Sequence, residues 1–190
     1  ARVIALTVSS VKNTAYYKMR VGESIEKIVS NNIEGENNRF ISGNPLTGTQ
    51  IPANGSLGAY DAQITVIPEG DKNNEFLGWI MPRLNKFSMN RSYFSWLLGE
   101  KKEYEFDTNI NGGERAFIMS GEYDRVFPMD IYPEFLVKAI LDKDIDKMEQ
   151  LGIYEVAPED FALCEFVCTS KIETQRIVRE GLDYLRKELA

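Results

Sequence analysis

The stretch PEDFALCEFVCTSKIE, residues 158–173, holds both cysteines of this 190-residue chain. Three residues separate Cys164 from Cys168. Counted back from Cys168, a pattern of four positions separated by three, two and two residues falls on Cys164, Phe161 and Pro158, and Thr169 follows the last position. Thiols therefore occupy two of the four positions, and an aromatic ring and a proline occupy the other two.

The same spacing fits a second stretch upstream, FIMSGEYDRVFP, residues 117–128. Its four positions are Phe117, Ser120, Tyr123 and Phe127, and Pro128 follows the last of them. None of the four is a cysteine. The spacing recurs here without any of the thiols.

This spacing is the one with which bacterial ferredoxins hold their iron-sulfur clusters. A cubane cluster needs four thiolates, and the last cysteine of such a run precedes a proline. Two thiolates in the whole chain cannot ligate one cubane without help from another chain. The chain therefore resembles a two-cluster ferredoxin domain from which the metal chemistry has been removed.

Two helices are predicted between the two stretches. Pro133 suits the first turn of a helix, and Asp130 is the candidate cap for it. Asp144 is a candidate N-cap of the next helix, which Gly152 can end.

A longer helix is predicted at the end of the chain. Ser170 and Glu173 have the spacing of a capping box, so the helix should run from about Lys171 toward Leu189. Gly181 costs about 1 kcal/mol relative to alanine unless close packing needs the gap. The expected inward stripe consists of Ile172, Val178, Leu182, Leu185 and Leu189.

The first 70 residues read as a small sheet with one helix. Residues 2–8 and 16–20 are β-rich runs on either side of a turn and predict a hairpin. A short helix with apolar Ile25, Ile28 and Val29 follows a possible Ser24 cap. Further strands are expected at 39–43 and 62–67, with a polar loop between them. Strand, strand, helix, strand, strand is the order of a β-grasp domain.

The loop SGNPLTG at residues 42–48 allows two interpretations. Its glycines permit a close approach of backbone to a ligand. Proline, asparagine and glycine are equally the ordinary residues of a turn between strands, and the turn is the favoured interpretation. No GxGxxG or Walker sequence occurs in the chain, so no motif supports nucleotide binding.

A domain boundary is predicted in the polar stretch 68–74, which gives a β-grasp domain at 1–72 and a helical domain at 73–190. The second domain opens with an aromatic connecting segment, residues 76–98, that contains both tryptophans. If Tyr93–Leu98 is helical, Tyr93, Phe94, Leu97 and Leu98 share a face. The segment suits either a contact with a membrane-embedded partner or quinone, or a hydrophobic seam between the domains, which is favoured.

Composition excludes several classes of function. The chain has no histidine, which removes His-based hydrolases and His-ligated zinc sites for this chain alone. Its net charge of -7 argues against nucleic acid and against anionic lipid as partners. No apolar run approaches the length of a membrane span, and no signal peptide is evident.

The remaining chemical candidates are weak. The pairs Glu159/Asp160 and Asp142/Asp144 are better explained by the helix dipole and a polar loop than by acid-base catalysis, and Asp130 likewise. A redox switch or disulfide at the two cysteines stays open, with Lys171 the one nearby cation. We therefore assign no catalytic, cofactor-binding or metal-binding residue.

A family resemblance rests on NGGERA at 111–116, VFPMDIYP at 126–133, and the stretches LGIYE at 151–155 and EDFALCEFVC at 159–168. These resemble the A subunit of the bacterial sodium-translocating NADH:quinone oxidoreductase. That protein is similar to the C subunit of the Rnf electron-transport complex, which keeps the cluster cysteines, and more distantly to the flavin-bearing subunit of respiratory complex I. The resemblance also implies domains before Ala1, so we expect the chain to be part of a longer protein.

The resemblance implies a peripheral subunit on the cytoplasmic face of the inner membrane, with other subunits as partners and a membrane-embedded one among them. The whole complex moves electrons from NADH to quinone and exports sodium, so the chain is an enzyme only as part of that complex. We expect a docking scaffold that binds no cofactor itself, with a possible quinone contact. A small-ligand-binding β-grasp module and a degenerate Rnf-type electron-transfer component are the alternatives.

Overall fold

The computed structural model describes residues 1–7, 10–70, 84, 86–89, 91, 93–99 and 103–189. They form two compact units. The sheet unit comprises residues 1–87 and 91–111, and the helical unit comprises residues 88–90 and 112–190. The boundary expected between residues 72 and 73 lies outside the described residues. The predicted α+β class is confirmed.

Among its described residues, the sheet unit contains five strands. They are β1 (Arg2–Thr7), β2 (Ala15–Met19), β3 (Asn38–Ser42), β4 (Thr49–Ile51) and β5 (Gln63–Pro68). Their order across the sheet is β2-β1-β5-β3-β4. β1 pairs antiparallel with β2 and parallel with β5, and β3 is antiparallel to both β4 and β5. The hairpin and both later strands were predicted, whereas β4 lies where a polar loop was expected.

One face of this sheet carries the core of the unit. The short helix α1 (Glu26–Val29) follows Ser24, whose hydroxyl accepts a hydrogen bond from the Glu26 amide at 3.2 Å. Alternate residues of the central strands point to the core, because side chains alternate along a strand. The fully buried members are Ile4, Leu6, Ile25, Ile64 and Val66.

A polar cluster joins residues 107–109 to the end of β5. Arg39 donates two hydrogen bonds to the Glu69 carboxylate, at 2.9 and 3.0 Å, and holds the pKa of that carboxyl below its ordinary value. Thr108 donates to Glu69 at 2.8 Å, and its hydroxyl accepts from the Gly70 amide at 2.9 Å. Asn109 donates to the Gly70 carbonyl at 2.9 Å. The chain therefore returns to the sheet after the aromatic segment.

The helical unit contains four α-helices among its described residues. They are α2 (Pro133–Leu141), α3 (Ile145–Gln150), α4 (Ala162–Val167) and α5 (Thr174–Glu188). Pro133 opens α2 as predicted, and Asp144 caps α3 by accepting from the Lys147 amide at 3.1 Å. Gly152, with a φ of +84°, follows the end of α3 in the left-handed conformation that glycine favours.

Two cap predictions are wrong. α2 has Tyr132 at its N-cap position, and no side chain makes a cap hydrogen bond there, so Asp130 is not its cap. α5 begins at Thr174 rather than near Lys171, because Lys171 has a φ of +54° that no right-handed helix accepts. The Ser170 hydroxyl accepts instead from the Ile118 amide at 3.3 Å, so it does not serve a capping box.

Close packing of α2 against α5 explains the glycine within α5. A Cβ at Gly181 would lie 2.8 Å from Cγ2 and 3.0 Å from Cγ1 of Ile140. Val178 and Leu185 of the predicted stripe are buried, but Leu189 is 59% exposed and Ile177 takes part in the core instead.

Candidate functional site

The eight positions of the two spacing patterns fall in the helical unit, and six of them lie in or against one hydrophobic core. Tyr123, Phe127, Phe161, Cys164 and Cys168 are members of this core, and Phe117 packs against it. The 3-10 helix Tyr123–Arg125 carries the third position of the first pattern, and the 3-10 helix Pro158–Phe161 carries the first two positions of the second. We call the eight residues the pattern positions.

The third position of the first pattern contacts the last position of the second. Tyr123 is 1% exposed, and its hydroxyl donates a hydrogen bond to the sulfur of Cys168 at 3.0 Å. Burial, and then this hydrogen bond, raises the pKa of Tyr123 far above its ordinary value. The phenol is therefore held neutral and cannot serve as a base.

A second contact joins Phe127, the last position of the first pattern, to Phe161, the second position of the second pattern. The rings of Phe127 and Phe161 have centroids 4.8 Å apart at an interplanar angle of 53°. Phe161 is fully buried, and Phe127 is 9% exposed. Tilted ring pairs at this distance are favourable beyond the area that they bury.

A buried carboxylate shapes the loop of the first pattern. Glu134, in the first turn of α2, is 4% exposed and accepts hydrogen bonds from the amides of Ser120 at 3.2 Å and Gly121 at 2.7 Å. The Ser120 hydroxyl also reaches both Glu134 and the buried Glu122, at 3.4 Å. Sequence reasoning missed Glu134, since only its place after Pro133 at a helix start hints that a carboxylate is stabilised there.

The two cysteines have the character of packing residues. Both thiols are free and buried. Burial raises the pKa of Cys164 to about 12, and the nearby Cys168, Asp124 and Glu134 add to the effect. A thiol that stays protonated is a poor nucleophile. This argues against the redox-switch hypothesis for Cys164.

Hydrogen bonds within the loop at residues 42–48, and from its Ser42 to residues 58 and 61, fix its conformation. Ser42 is 2% exposed, donates to the Asp61 carboxylate and accepts from the Gly58 amide at 2.9 Å. The Asn44 side chain closes the turn by accepting from the amides of residues 46 and 47. A Cβ at Gly48 would lie 2.5 Å from the Asn44 carbonyl oxygen and 2.6 Å from that of Ser42. The chain's own backbone therefore requires this glycine, as the turn interpretation expects.

The described part of the aromatic segment contains a 3-10 helix, Phe94–Leu98. Its four large apolar side chains are about half exposed, whereas Ser95 is only 2% exposed. The guanidinium of Arg91 lies 5.5 Å from the centroid of the Trp96 ring. Residues 76–83, including Trp79, lie outside the described residues.

Three of the acidic residues singled out in the sequence, Asp144, Glu159 and Asp160, have structural partners. Asp144 pairs with the Lys147 side chain, which keeps the pKa of Asp144 below its ordinary value. Asp160 accepts from the Ala157 amide at 2.8 Å, and Glu159 lies 3.8 Å from Arg179. These contacts favour a structural role over acid-base catalysis.

Similarity to known proteins extends over both units. Residues 3–53, which contain β1 to β4, match the family described as NQRA C-terminal domain. The chain is 39% identical over 189 residues to the A subunit of the Na(+)-translocating NADH-quinone reductase of Pasteurella multocida, covering 99% of this chain and 42% of that protein. The stretch that matches this family model is about a quarter of the chain.

Two other relatives are similar to this chain to the same extent. The A subunit of the same reductase in Haemophilus influenzae is 40% identical over 189 residues, with 98% of this chain and 41% of that protein covered. The A subunit in Mannheimia succiniciproducens is 39% identical over 190 residues, with shares of 98% and 42%. The chain thus spans well under half the length of the relatives that it matches. Among the helices that the structure describes, none has the length and hydropathy that a bilayer span requires.

Proposed function

We propose that this chain is part of the A subunit of a sodium-translocating NADH-quinone reductase. The complex would couple electron transfer from NADH to quinone with sodium export, and the chain would act only within it. The observation that carries the proposal is the 39–40% identity to that protein along nearly the whole chain. In this proposal the chain belongs to a peripheral subunit on the cytoplasmic face, bound to a membrane-embedded partner.

The sheet unit is proposed to be a β-grasp domain. Its hairpin β1-β2 is followed by α1, and β5 returns parallel to β1 in the middle of the sheet. β4 is an addition at the edge next to β3. The order of elements and the central parallel pair support this assignment.

The helical unit is proposed to be a ferredoxin-like domain without clusters. In two-cluster ferredoxins the fourth cysteine of each run ligates the cluster of the other run. One cluster would therefore join positions 117, 120 and 123 to position 168, and the other would join 158, 161 and 164 to position 127. The two contacts observed, Tyr123 with Cys168 and Phe127 with Phe161, each join positions of one such set. We call them the crossed pairs.

The crossed pairs support a scaffold role. Interiors of proteins are close-packed, so a core that lost its inorganic clusters must fill the space with side chains. The pattern positions supply aromatic rings and two buried thiols for this purpose. A rigid core of this kind offers fixed surfaces to other subunits.

Neither alternative has a specific observation in its favour. An electron carrier would need exposed, ionised thiolates for a partner to complete a cluster, and both cysteines are buried. A ligand-binding loop at residues 42–48 would leave its glycines open to the ligand, whereas Gly48 lies against backbone of the same loop.

The proposal is tested by purification from the source organism. The native protein that contains this chain is tagged, and membranes are solubilised in mild detergent. Sodium-stimulated NADH-quinone reductase activity should be recovered with the tag and should be lost from the membranes when the gene is deleted. Recovery of the tagged protein without reductase activity, together with full activity in the deletion strain, would refute the assignment.

A variant separates the scaffold role from the assignment itself. Phe127→Leu with Phe161→Leu weakens the crossed pair in the core of the helical unit. We expect the amount of assembled complex to fall, while each complex that does assemble keeps normal turnover. Normal assembly with reduced turnover would place the two rings in the reaction path and contradict the scaffold role.

A further inference from the structure

Two asparagines of the chain, Asn54 and Asn111, directly precede a glycine. An asparagine in this position can react with its own backbone, because the amide nitrogen of the next residue can attack the side-chain carbonyl carbon. Glycine favours the attack, since it has no Cβ to hinder the approach and gives the backbone the freedom that ring closure requires. Whether either asparagine reacts in the folded chain therefore depends on how its glycine is held.

Three hydrogen bonds hold the first of these glycines. The Gly55 amide donates to the Pro52 carbonyl at 2.8 Å, and the Gly55 carbonyl accepts from the Ile25 amide at 2.9 Å. The Asn54 carbonyl accepts from the Ser24 hydroxyl at 2.9 Å. The attacking nitrogen is thus already engaged in a turn, and the backbone on both sides of it is tied to the residues around α1.

The second glycine lies in an exposed stretch without such bonds. Residues 110–116 are all exposed and belong to no helix or strand. The amides of residues 112–114 form no hydrogen bond with any described residue, and the next backbone bond is from the Arg115 amide to the Ser170 carbonyl, at 2.8 Å. The Asn111 side chain makes one local bond, from Nδ2 to the Asn109 carbonyl at 3.1 Å, which does not involve its own carbonyl group. The Gly112 nitrogen is therefore available for the attack.

We propose that Asn111 is a site of spontaneous deamidation in the folded chain, through a succinimide ring closed by Gly112, and that the turn protects Asn54. The Gly112 nitrogen gives its proton to solvent and bonds to Cγ of Asn111. The bond from Cγ to Nδ2 breaks, and ammonia leaves with a proton taken from water. Water then opens the ring at either carbonyl and leaves aspartate or isoaspartate. The reaction transfers no electrons, and water is its co-reactant.

The product changes the chain at the point where its two units meet in sequence. Residue 111 ends the sheet unit, and residue 112 begins the helical unit. Either product adds a negative charge there, and isoaspartate also lengthens the main chain by one carbon. An exposed isoaspartate is the substrate of methyltransferases that esterify this carboxylate, so an enzyme of that class is the expected partner of the modified chain. The inference goes beyond the proposed function and does not depend on it, because the reaction is measured with the chain alone.

The test follows both asparagines in one sample of the 190-residue chain. The folded chain is incubated at mildly alkaline pH in water labelled with heavy oxygen, and the peptides that contain Asn54 and Asn111 are quantified by mass spectrometry. Incorporated label marks ring opening, and methylation by an isoaspartyl methyltransferase counts the isoaspartate. Because the bonds around Gly55 must open before its nitrogen can attack, we expect Asn111 to convert about tenfold faster than Asn54, or more. In urea, where neither dipeptide is held, the two rates should be similar.

Two matched glycine variants separate the chemistry from the exposure of the stretch. A Cβ at Gly112 would meet carbons of Lys171 at 3.5 and 3.6 Å, an ordinary contact, so Gly112→Ala should keep the fold. It should slow conversion of Asn111 severalfold, because the methyl group hinders the attacking nitrogen. Gly113→Ala places its Cβ within 4 Å of no described atom and leaves the Asn111–Gly112 bond intact, so the rate should stay unchanged. The same circular dichroism melt in both variants verifies folding.

Two results would overturn the inference. One is a ratio of the Asn111 rate to the Asn54 rate that is no greater in the folded chain than in urea, because the turn would then protect nothing. The other is an Asn111 that stays unconverted in the folded chain although it converts in urea.

Discussion

Replacement of Phe161 and Phe127 by leucine tests the crossed pair directly. Leucine keeps each site apolar and removes the contact between the two rings, whose centroids lie 4.8 Å apart, together with part of each ring's packing in the core. Each single substitution in this buried site should cost about 1–2 kcal/mol of the free energy of unfolding. Because the two rings share one contact, the double variant should cost less than the sum of the single ones. The expected coupling is about 0.5–1.5 kcal/mol.

Urea unfolding followed by far-ultraviolet circular dichroism measures the free energy of unfolding of the helical unit. Four of the five α-helices described lie in the helical unit, so its unfolding dominates the helical signal. Phe135→Leu is the control for a ring pair at the surface: its ring is 54% exposed and lies 6.0 Å from that of Tyr132, which is 67% exposed, so its replacement should change stability by less than about 0.5 kcal/mol. Coupling between Phe127 and Phe161 below about 0.3 kcal/mol would refute the packing that we describe.

Three further substitutions have defined outcomes. Gly181→Ala should destabilise the helical unit by about 1–2 kcal/mol despite the better helix propensity of alanine, because the added Cβ clashes with Ile140. Ile140→Ala should relieve this clash, so a double-mutant cycle of the two substitutions should show strong coupling. Additive effects would contradict the close packing of α2 against α5. Gly48→Ala should lower the melting temperature of the sheet unit by several degrees, because the added Cβ would meet the carbonyl oxygens of Asn44 and Ser42; an unchanged melt would contradict these backbone contacts. Burial raises the pKa of the Cys164 thiol from 9.0 to about 12, so the stability that the buried thiol contributes should decline between pH 9 and pH 12 by about 1.4 kcal/mol per pH unit. Cys164→Ala should remove that part of the slope, and an unchanged slope in chemical unfolding would contradict it.

Local signals in the sequence were sufficient for elements that local forces determine. Two β-rich runs on either side of a turn predicted the hairpin of β1 and β2, and Asp144 and Gly152 marked the two ends of α3. Pro133 marked the start of α2 because its fixed φ suits a first turn. Asp144 and Pro133 act on the first turns of their own helices, within a few positions along the chain.

Errors occurred where distant residues decide the outcome. β4 is short and polar, and it exists because Ile51 pairs with Phe40 across the sheet. The capping box failed because Ser170 is used by the Ile118 amide, a partner 52 residues away. No local pattern contains such a partner, so propensity alone cannot find it.

The candidate site, too, could be predicted from the sequence only in part. The spacing of the two stretches selected the eight pattern positions, and the structure brings members of both into one core. Which positions touch could not be read from the spacing, because Tyr123 and Cys168 are 45 residues apart. The role of Glu134 was missed for a similar reason, since it stabilises Gly121, which precedes it by 13 residues.

Iron-sulfide reconstitution of the 190-residue chain tests the central claim most directly. The chain is incubated anaerobically with ferrous iron and sulfide, desalted, and analysed for iron, acid-labile sulfide and visible absorbance, with a bacterial two-cluster ferredoxin treated in parallel. Since side chains occupy the crossed positions, we expect the ferredoxin to regain its clusters and this chain to retain neither iron nor a visible band. Retention of about four irons per chain with cubane absorbance would contradict the account.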